Sequence, residues 1–272
     1  MTMSLKQKIK KFYYSRIVKP IIFNSRLGRR TMFGYADSGI NFDHIYNNKA
    51  KGYNKLGETV DRILLNLPAC KATRHRKNRI VEILTKEIQN NSKNGIKTRI
   101  VDLASGPARY IVDAITDKLI NNTEVLCFDA NEHSLEYGKK IARGKQMLFK
   151  KTNILKIGGP HYKRISEVKD WRPNLVVCSG LYEYLEDEEV KSSFKKVMEF
   201  LDKDGLLLFV TQKSNPNKKL IENVGVTSSG KKWVLNYRTP SILKKWMQEN
   251  RFKNIEFEID PWGMYEFFKG RK

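Results

Sequence analysis

Residues 101–110 read Val-Asp-Leu-Ala-Ser-Gly-Pro-Ala-Arg-Tyr, and this stretch decides the fold class. An apolar strand ends in an acid at Asp102, and a turn of small residues then leads into a helix. Ala, Gly and Ala at positions 104, 106 and 108 let the backbone approach a ligand closely, and the start of the helix offers unpaired N–H groups to negative charge. Because ligands of open parallel sheets bind at the carboxyl ends of the strands, this turn is a candidate site. An ordinary tight strand-to-helix turn is the alternative.

A second acid ends the next predicted strand, because Asp129 follows four apolar residues. A carboxylate at the end of the second strand can accept both hydroxyls of a ribose. Asp129 lies 27 residues after Asp102, and a longer helix and a turn at 121–123 account for the excess over the usual interval of about 20. The two acids together predict a nucleotide-type site.

Short apolar segments alternate with helical patterns from residue 96 onward. The predicted strands cover 98–103, 124–129, 147–151, 175–179, 206–211 and 255–259, and the predicted helices lie around 110–119, 134–143, 187–201 and 240–250. Such alternation is typical of a mostly parallel sheet covered by helices on both faces. The sequence therefore predicts an α/β domain with a doubly wound sheet over residues 96–272.

The front of the chain has a helical pattern instead. Apolar residues repeat at helical spacing over 56–67 and 80–88, and the polar segment 90–95 reads as a loop. We predict a basic amphipathic segment over residues 1–36 and a helical cap over 37–95. The main domain boundary is expected at the 90–95 loop.

Positive charge is concentrated in this front part. The chain has 52 Lys and Arg against 29 Asp and Glu, a net charge of +23, and nine basic residues precede the first acid, Asp37. Leu5, Ile9 and Ile17 recur at helical spacing until Pro20, which is expected to end that helix. A basic block of this kind favours a phosphate-bearing partner, either nucleic acid or an anionic membrane surface, and a solvated tail is the alternative.

Several classes of protein are excluded by composition. No apolar run approaches the roughly 18 residues of a membrane-spanning helix. Cys70, Cys127 and Cys178 are odd in number and widely spaced, which favours buried thiols in a reducing compartment over a disulfide framework or a zinc site. The front lacks the apolar core of a signal peptide, so we expect a cytoplasmic location. The four histidines are too far apart for a metal site, and no metal is expected.

The strand-end acids and the small-residue turn resemble those of class I S-adenosylmethionine-dependent methyltransferases. The resemblance implies S-adenosylmethionine as cofactor, with Asp102 and Gly106 at its methionine end, Asp129 at its ribose and Asn153 at its adenine. The turn reads Ala-Ser-Gly-Pro-Ala in place of the usual Gly-x-Gly-x-Gly. The other residues expected around the cofactor are Ala104, Ser105, Arg109, Tyr110, Ser179 and Arg74.

A narrower resemblance covers about residues 37–268. Its motifs include Asp37-Ser38-Gly39, Ser105-Gly106-Pro107, Ser179-Gly180-Leu181-Tyr182-Glu183 and Asp260-Pro261-Trp262-Gly263. Their order is similar to that in a family of bacterial methyltransferases whose members often occur fused behind an α/β-hydrolase domain. The resemblance implies a seven-stranded sheet and a helical cap. It also suggests Arg74, Arg76 or Lys77 as a clamp for the cofactor carboxylate, and a solvated basic helix face is the alternative.

The carboxyl end of the fourth strand faces the methyl group in this fold, so Tyr182, Glu183 and Tyr184 are the candidate catalytic residues. A tyrosine hydroxyl can steer an acceptor, and a glutamate can take a proton from an amine. Packing of these aromatic residues in the core is the alternative. Further candidates on the acceptor side, including a potential aromatic pocket, are Gln212, Trp233, Tyr237, Arg238, Trp262 and Tyr265.

The expected function is therefore N- or O-methylation of a small molecule or lipid headgroup, with the enzyme cytoplasmic or peripheral at the inner membrane face. An RNA methyltransferase would use the same positive charge, although no RNA-binding module is recognisable. A non-catalytic protein that only binds S-adenosylmethionine is the third hypothesis, which the alanines at 104 and 108 permit.

Overall fold

A computed structural model describes residues 4, 5, 9, 12–152 and 171–272. The chain forms two compact units, one of Met1–Arg74 with Asn215–Val234 and one of His75–Ser214 with Leu235–Lys272. The division therefore falls inside a helix and not at the predicted 90–95 loop, where that helix still continues to Lys93. Residues 215–234 lie between the two segments of the second unit in sequence yet belong to the first unit, because compactness depends on contacts between distant segments.

Ten α-helices are present in the described residues. They are α1 (Lys19–Phe23), α2 (Arg26–Met32), α3 (Gly39–Asn47), α4 (Lys55–Leu65), α5 (Pro68–Lys93), α6 (Arg109–Ala114), α7 (Glu132–Ile141), α8 (Asp187–Phe200), α9 (Lys218–Val224) and α10 (Pro240–Glu249). A π-helical turn, Tyr14–Val18, precedes α1, and 3₁₀ turns cover Asp117–Asn122 and Tyr182–Tyr184. None of these helices is long and apolar enough to cross a bilayer.

The helix at the front continues past Pro20, which corrects the prediction that it ends there. Pro20 lies in the first turn of α1, where a missing N–H group costs little because that group has no partner within the helix. The turn before it, Tyr14–Val18, has π-helical hydrogen bonds, and such a widened turn accommodates a local change in the helical ladder. Polar side chains cap the next helices: Ser25 accepts a hydrogen bond from Gly28 N and Asn54 accepts one from Gly57 N.

A buried carboxylate organises the first unit. Asp61 is fully buried and accepts hydrogen bonds from Leu27 N at 2.7 Å, Lys51 N at 2.9 Å and His44 Nε2 at 2.8 Å. Burial alone would raise the pKa of Asp61, but the hydrogen bonds from His44, Leu27 and Lys51 outweigh it, so the pKa lies below its ordinary value. Asp61 therefore ties three separate segments of the chain together.

The second unit contains one seven-stranded sheet. Its strands are β1 (Thr98–Leu103), β2 (Thr123–Asp129), β3 (Met147–Lys151), β4 (Leu175–Ser179), β5 (Leu206–Gln212), β6 (Lys253–Ile259) and β7 (Tyr265–Arg271). The order is β3-β2-β1-β4-β5-β7-β6, with β7 antiparallel to its neighbours and the other pairs parallel. The doubly wound α/β prediction is confirmed. Sequence periodicity located six strands, and the seventh, β7, was absent from those candidates.

Helices cover both faces of this sheet. On one face, α8 and α10 contribute Phe194 and Trp246 to a core that includes Phe209 and Phe268, whose rings stack at 4.7 Å. Helix α5 buries Ile80, Leu84 and Ile88, and its Arg79 makes a bidentate ion pair with Glu258 of β6 at 2.5 and 2.8 Å. Because the central strands are buried on both sides, only their carboxyl ends leave backbone and polar side chains for a ligand.

Candidate functional site

The turn between β1 and α6 keeps a glycine-like backbone although two of its residues are alanines. Ala104, Gly106 and Ala108 all have left-handed conformations, with φ angles of 55°, 53° and 54°. A Cβ atom in this conformation costs about 1 kcal/mol. Strain of this kind persists where the surrounding structure requires a particular backbone path. The turn thus retains the conformation of a glycine-rich turn in spite of its sequence.

Asp102 lies directly beneath this turn. Its side chain is fully buried, and Oδ1 accepts a hydrogen bond from the Tyr110 hydroxyl at 2.8 Å. Oδ2 has no hydrogen-bond partner among the described residues. Burial raises the pKa of Asp102 well above its ordinary value, the bond from Tyr110 opposes that shift, and the charge of Asp129 adds to it. Asp102 and Tyr110 therefore join β1 to α6 and support the turn from below.

Asp129 connects the turns that follow β1 and β2. Its Oδ2 accepts from Gly106 N and its Oδ1 accepts from Asn131 N, both at 2.7 Å. The side chain is only half-buried, so it remains accessible to a ligand. Ser105 N also donates to the carbonyl of Phe128 at 3.0 Å. The predicted residues of the two strand ends are thus brought together in one arrangement.

The remaining predicted cofactor residues have different positions. Arg109 Nη2 donates to the Tyr137 hydroxyl at 3.1 Å, and Ser179 Oγ, at the end of β4, is buried without a hydrogen-bond partner in the described part of the chain. Arg74 belongs to the first unit, where its Nη1 donates to the carbonyl of Leu65 at 2.8 Å. Asn153 lies outside the described residues.

A group of polar side chains, which we call the strand-end cluster, lies beyond β4 and along the ends of β5 and β7. Its members are Arg76, Glu183, Thr211, Gln212 and Glu266, each 3% exposed or less. Glu183 is held at its Oε2 by the Thr211 hydroxyl at 3.3 Å and at its Oε1 by Gln212 Nε2 at 3.4 Å. The cluster therefore fixes a carboxyl group in a nearly water-free setting.

Burial raises the pKa of Glu183, while a hydrogen bond from its own backbone, the charge of Arg76 and the bonds from Gln212 and Thr211 oppose the rise. The Arg76 guanidinium also stacks over the ring of Tyr265, with its Cζ atom 4.7 Å from the ring centroid. A carboxylate with a raised pKa is a stronger base than an ordinary carboxylate. Glu183 thus has the environment of a proton acceptor.

Gly180 makes this arrangement possible, and sequence reasoning gave it no role of its own. Its φ angle is 82°, and a Cβ atom at this position would lie 3.0 Å from Arg76 Nη1 and 3.7 Å from Glu183 Oε1. A side chain would therefore be strained and would press on the guanidinium. The signal available in the sequence was the Ser-Gly pair that directly follows β4.

Tyr182 is a core residue, which favours the alternative that it packs in the core over a contact with the acceptor. Its ring packs edge-on against Phe194 and Phe209, with both centroid distances 5.2 Å, and its hydroxyl lies 3.0 Å from Ser193 Oγ. Only Glu183 of the three adjacent candidates enters the strand-end cluster, because successive residues of the 3₁₀ turn point in different directions. Tyr184 is half-buried in the same turn.

The other acceptor candidates are dispersed. Arg238 donates to the carbonyls of Tyr182 and Leu185 and pairs with Asp187, so it fixes the segment after β4. Trp233 belongs to the first unit, where it packs against Phe42. Lys77 pairs with Asp113 at 2.8 Å. In the second unit, Tyr265 is fully buried beneath Arg76, Trp262 is 39% exposed and Tyr237 is half-buried.

Glu266 is a member of the cluster that sequence reasoning missed. It lies on β7 opposite Thr211 of β5, so both side chains project from the same face of the sheet. Its side chain is fully buried, and neither carboxyl oxygen has a hydrogen-bond partner among the described residues. Burial raises the pKa of Glu266 to about 7, against the opposing charge of Lys213. The missed strand β7 is the reason that this residue was missed.

The chain matches a family model described as "Putative methyltransferase" over residues 6–271, and it belongs to that family. A curated relative, the uncharacterized protein YnbC of Escherichia coli K12, is 28% identical over an alignment of 246 residues, and the match covers 88% of this chain. The chain spans only 40% of the length of that relative.

Solved structures resemble the whole chain. A protein of Bordetella parapertussis, described as a possible exported protein, has a TM-score of 0.70 at 15% identity over 99% of this chain and 88% of its own. The magnesium protoporphyrin IX methyltransferase of Synechocystis PCC 6803, solved with bound SAH, has a TM-score of 0.54 at 10% identity, covering 97% and 98% of the two chains. The chain therefore belongs to the "Putative methyltransferase" family, and its fold is the one that the resemblance to class I methyltransferases implied.

Proposed function

We propose that this enzyme moves the methyl group of S-adenosylmethionine to a nitrogen or oxygen atom of a small molecule or lipid headgroup. The observation that carries the proposal is the buried Glu183 carboxyl group, which lies just beyond β4. Strand β4 is the neighbour of β1, so the strand-end cluster and the β1–α6 turn follow adjacent strands at the same edge of the sheet. A proton acceptor beside a nucleotide-type turn is the arrangement that methyl transfer to a protonated nucleophile requires.

The proposed cofactor-binding site is at the β1–α6 turn. Asp129 is half-buried and is the proposed partner of the ribose hydroxyls, and the Ser179 Oγ atom, which has no hydrogen-bond partner among the described residues, offers a further polar contact. These features fit S-adenosylmethionine, which when bound supplies an electrophilic methyl group on a sulfonium. We retain Ala104, Ser105, Gly106, Arg109 and Asn153 as proposed cofactor contacts, whereas Asp102 and Tyr110 support the turn from below.

In the proposed reaction, Glu183 takes the proton of the acceptor as its nitrogen or oxygen forms a bond to the methyl carbon and the bond from that carbon to sulfur breaks. Arg76 favours the ionised form of Glu183, which is the form able to accept a proton. Thr211 and Gln212 hold the carboxyl group in one orientation, which lowers the entropy that must be lost on reaching the transition state. Tyr184 is a proposed contact of the acceptor at the half-buried rim.

We place this activity in the cytoplasm. Cys70, Cys127 and Cys178 are all buried and free, and buried thiols of this kind suit a reducing compartment. Burial raises the pKa of Cys70 to about 12, against the opposing charge of Arg74, so this thiol remains protonated and unreactive.

Calorimetry of S-adenosylmethionine binding tests the proposal, with wild type, Asp129→Ala and Glu183→Gln compared. We expect the first substitution to abolish binding and the second to leave it within about threefold, because Glu183 is assigned to the acceptor and not to the cofactor. Release of S-adenosylhomocysteine is then followed with candidate amine and hydroxyl acceptors, beginning with amine-bearing lipids. Failure of a folded sample to bind S-adenosylmethionine would contradict the proposal.

The same experiments distinguish two alternative functions from the proposed one. Binding of S-adenosylmethionine without turnover on amines, lipids or cell extract would favour a protein that only binds the cofactor. Turnover on RNA alone would instead identify an RNA methyltransferase, for which strong salt dependence of binding is expected.

A further inference from the structure

A row of apolar side chains runs along the outside of the N-terminal helical segment. Its members recur at intervals of four residues, and we call them the exposed stripe: Leu5, Ile9, Tyr13, Ile17 and Ile21. Their exposed fractions fall from 74% at Leu5 to 46% at Ile17 and 47% at Ile21. Residues four apart are neighbours on a helix surface, and a row at this spacing winds slowly around the helix axis, by about 40° at each step. The first unit therefore presents five apolar side chains to solvent at a regular spacing.

The same segment is attached to the first unit by a different row. Tyr14, Val18 and Ile22 pack against a small core that contains Val60 and Val224. One residue along a helix corresponds to a rotation of about 100°, so the attached row and the exposed stripe lie on different sides. Because the attached row already holds the segment in place, the exposed stripe is not needed for folding of this unit.

An exposed aromatic group lies further along the same unit. The Arg29 guanidinium lies over the rings of Phe23, at 4.6 Å, and Tyr53, at 4.4 Å, and Phe33 packs edge-on against Phe23 at 5.6 Å. These three rings are 37%, 62% and 58% exposed, in the order Phe23, Tyr53, Phe33. Aromatic rings with an adjacent arginine are typical of surfaces that sit at the boundary between water and lipid.

The charge of this segment selects among the classes of partner. Nine Lys and Arg and no Asp or Glu occur before Asp37, so a second copy of the segment would be repelled and an anionic partner attracted. RNA is anionic as well, but its binding through phosphate contacts gives no reason for five exposed apolar residues in register. An anionic bilayer uses both features, since its headgroups attract the basic residues and its acyl boundary accepts the apolar row.

We propose that the exposed stripe docks this protein onto an anionic lipid bilayer, with the N-terminal helical segment lying in the plane of the headgroups. The basic residues contact the headgroups, while the five stripe residues and the aromatic group enter the acyl boundary. Docking of this kind attaches the protein to the bilayer surface. It is independent of the methyl-transfer proposal because it involves no residue of the strand-end cluster or the β1–α6 turn.

Co-sedimentation of the full chain with vesicles tests the proposal. The vesicles contain phosphatidylcholine alone or with 30 mol% phosphatidylglycerol, and salt is varied. The stripe variant carries Ile9→Ser, Ile17→Ser and Ile21→Ser, whereas the control carries Leu148→Ser and Val234→Ser at positions that are 61% and 60% exposed elsewhere. We expect wild type and the control to bind the anionic vesicles, the stripe variant to bind at least tenfold more weakly, and high salt to weaken all binding.

Three outcomes would overturn the proposal. The first is equal vesicle binding by the stripe variant and wild type. The second is preference of wild type for RNA over anionic vesicles, with RNA binding unaffected by the stripe substitutions. The third is a wild-type dimer in light scattering that the stripe variant converts to a monomer. Circular dichroism and S-adenosylmethionine calorimetry on each variant separate loss of folding or cofactor binding from loss of docking.

Discussion

Asp61 in the first unit and Glu266 in the second are both fully buried carboxyl groups, yet their surroundings are opposite. Asp61 accepts three hydrogen bonds and its pKa is lowered. The oxygens of Glu266 have no hydrogen-bond partner among the described residues, and burial raises its pKa to about 7. A buried carboxylate with donors holds a fold together, whereas one without them destabilises the protein when ionised.

Glu183 is intermediate between these two residues. It has donors from Thr211 and Gln212, yet burial still raises its pKa. The comparison thus ranks the three carboxyl groups by the number of their hydrogen-bond donors, from the structural Asp61 through Glu183, the proposed proton acceptor, to Glu266, which has none among the described residues.

The largest effect is expected at Glu183. Replacing it by Gln removes the proton acceptor while preserving its shape, and we expect the rate of methyl transfer to fall by about 10² to 10⁴. The measurement is release of S-adenosylhomocysteine at saturating cofactor, with the cofactor dissociation constant as the control. A rate within threefold of wild type would show that Glu183 is not the proton acceptor. None of the three compared carboxyl groups would then have a catalytic role.

The next effect is expected in the first unit. Asp61→Asn removes the negative charge that accepts hydrogen bonds from Leu27 N, Lys51 N and His44. The new amide NH₂ group is also a donor, and it would replace one carboxylate oxygen that faces N–H donors. We expect the free energy of unfolding to fall by about 3 kcal/mol, as measured by urea denaturation at pH 7. Because its pKa is lowered on folding, the contribution of Asp61 is present above the ordinary carboxyl pKa of about 4 and is lost as pH falls below it.

The matched substitution on β7, Glu266→Gln, is expected to raise the free energy of unfolding instead of lowering it. The folded pKa of Glu266, about 7, lies above its unfolded value, so its ionisation lowers stability progressively between about pH 4.5 and pH 7, with the full cost present above pH 7. Glu266→Gln should therefore raise stability at pH 8 by about 2 kcal/mol and have little effect at pH 4.5. Urea unfolding at both values measures this, and equal effects at the two pH values would contradict the raised pKa.

The smallest effect is expected at Thr211. Replacing it by Val keeps the shape but removes the hydroxyl donor to Glu183 Oε2, at a cost of about 1 kcal/mol. Since a lost donor to the ionised form raises the pKa of Glu183, the acid limb of the pH–rate profile should move to higher pH. If the midpoint of the acid limb is the same in Thr211→Val and wild type, even with a changed rate, this hydrogen bond does not determine the pKa of Glu183.

Much of the second unit was predictable because its signals are local. Strands β1, β3 and β4 have the predicted bounds, since short apolar runs bordered by turn residues mark a strand without any knowledge of its neighbours. Asp102 and Asp129 were identified for the same reason, because an acid at the end of an apolar strand is visible in sequence. Strand β7 was missed because its first residue, Tyr265, was interpreted as part of an aromatic pocket and the residues after it were not assigned to a strand.

The sequence by itself determined the class of fold, the family and the strongly basic front of this protein, because periodicity, motif order and charge are properties of neighbouring residues. Only the tertiary structure decided which side chains share a site. Tyr182 and Glu183 are adjacent in sequence, yet one enters the core and the other the strand-end cluster, and Thr211 and Glu266 meet through the pairing of β5 with β7. The donors available to a buried polar group come from distant parts of the chain, so its charge and role depend on contacts that no local pattern specifies.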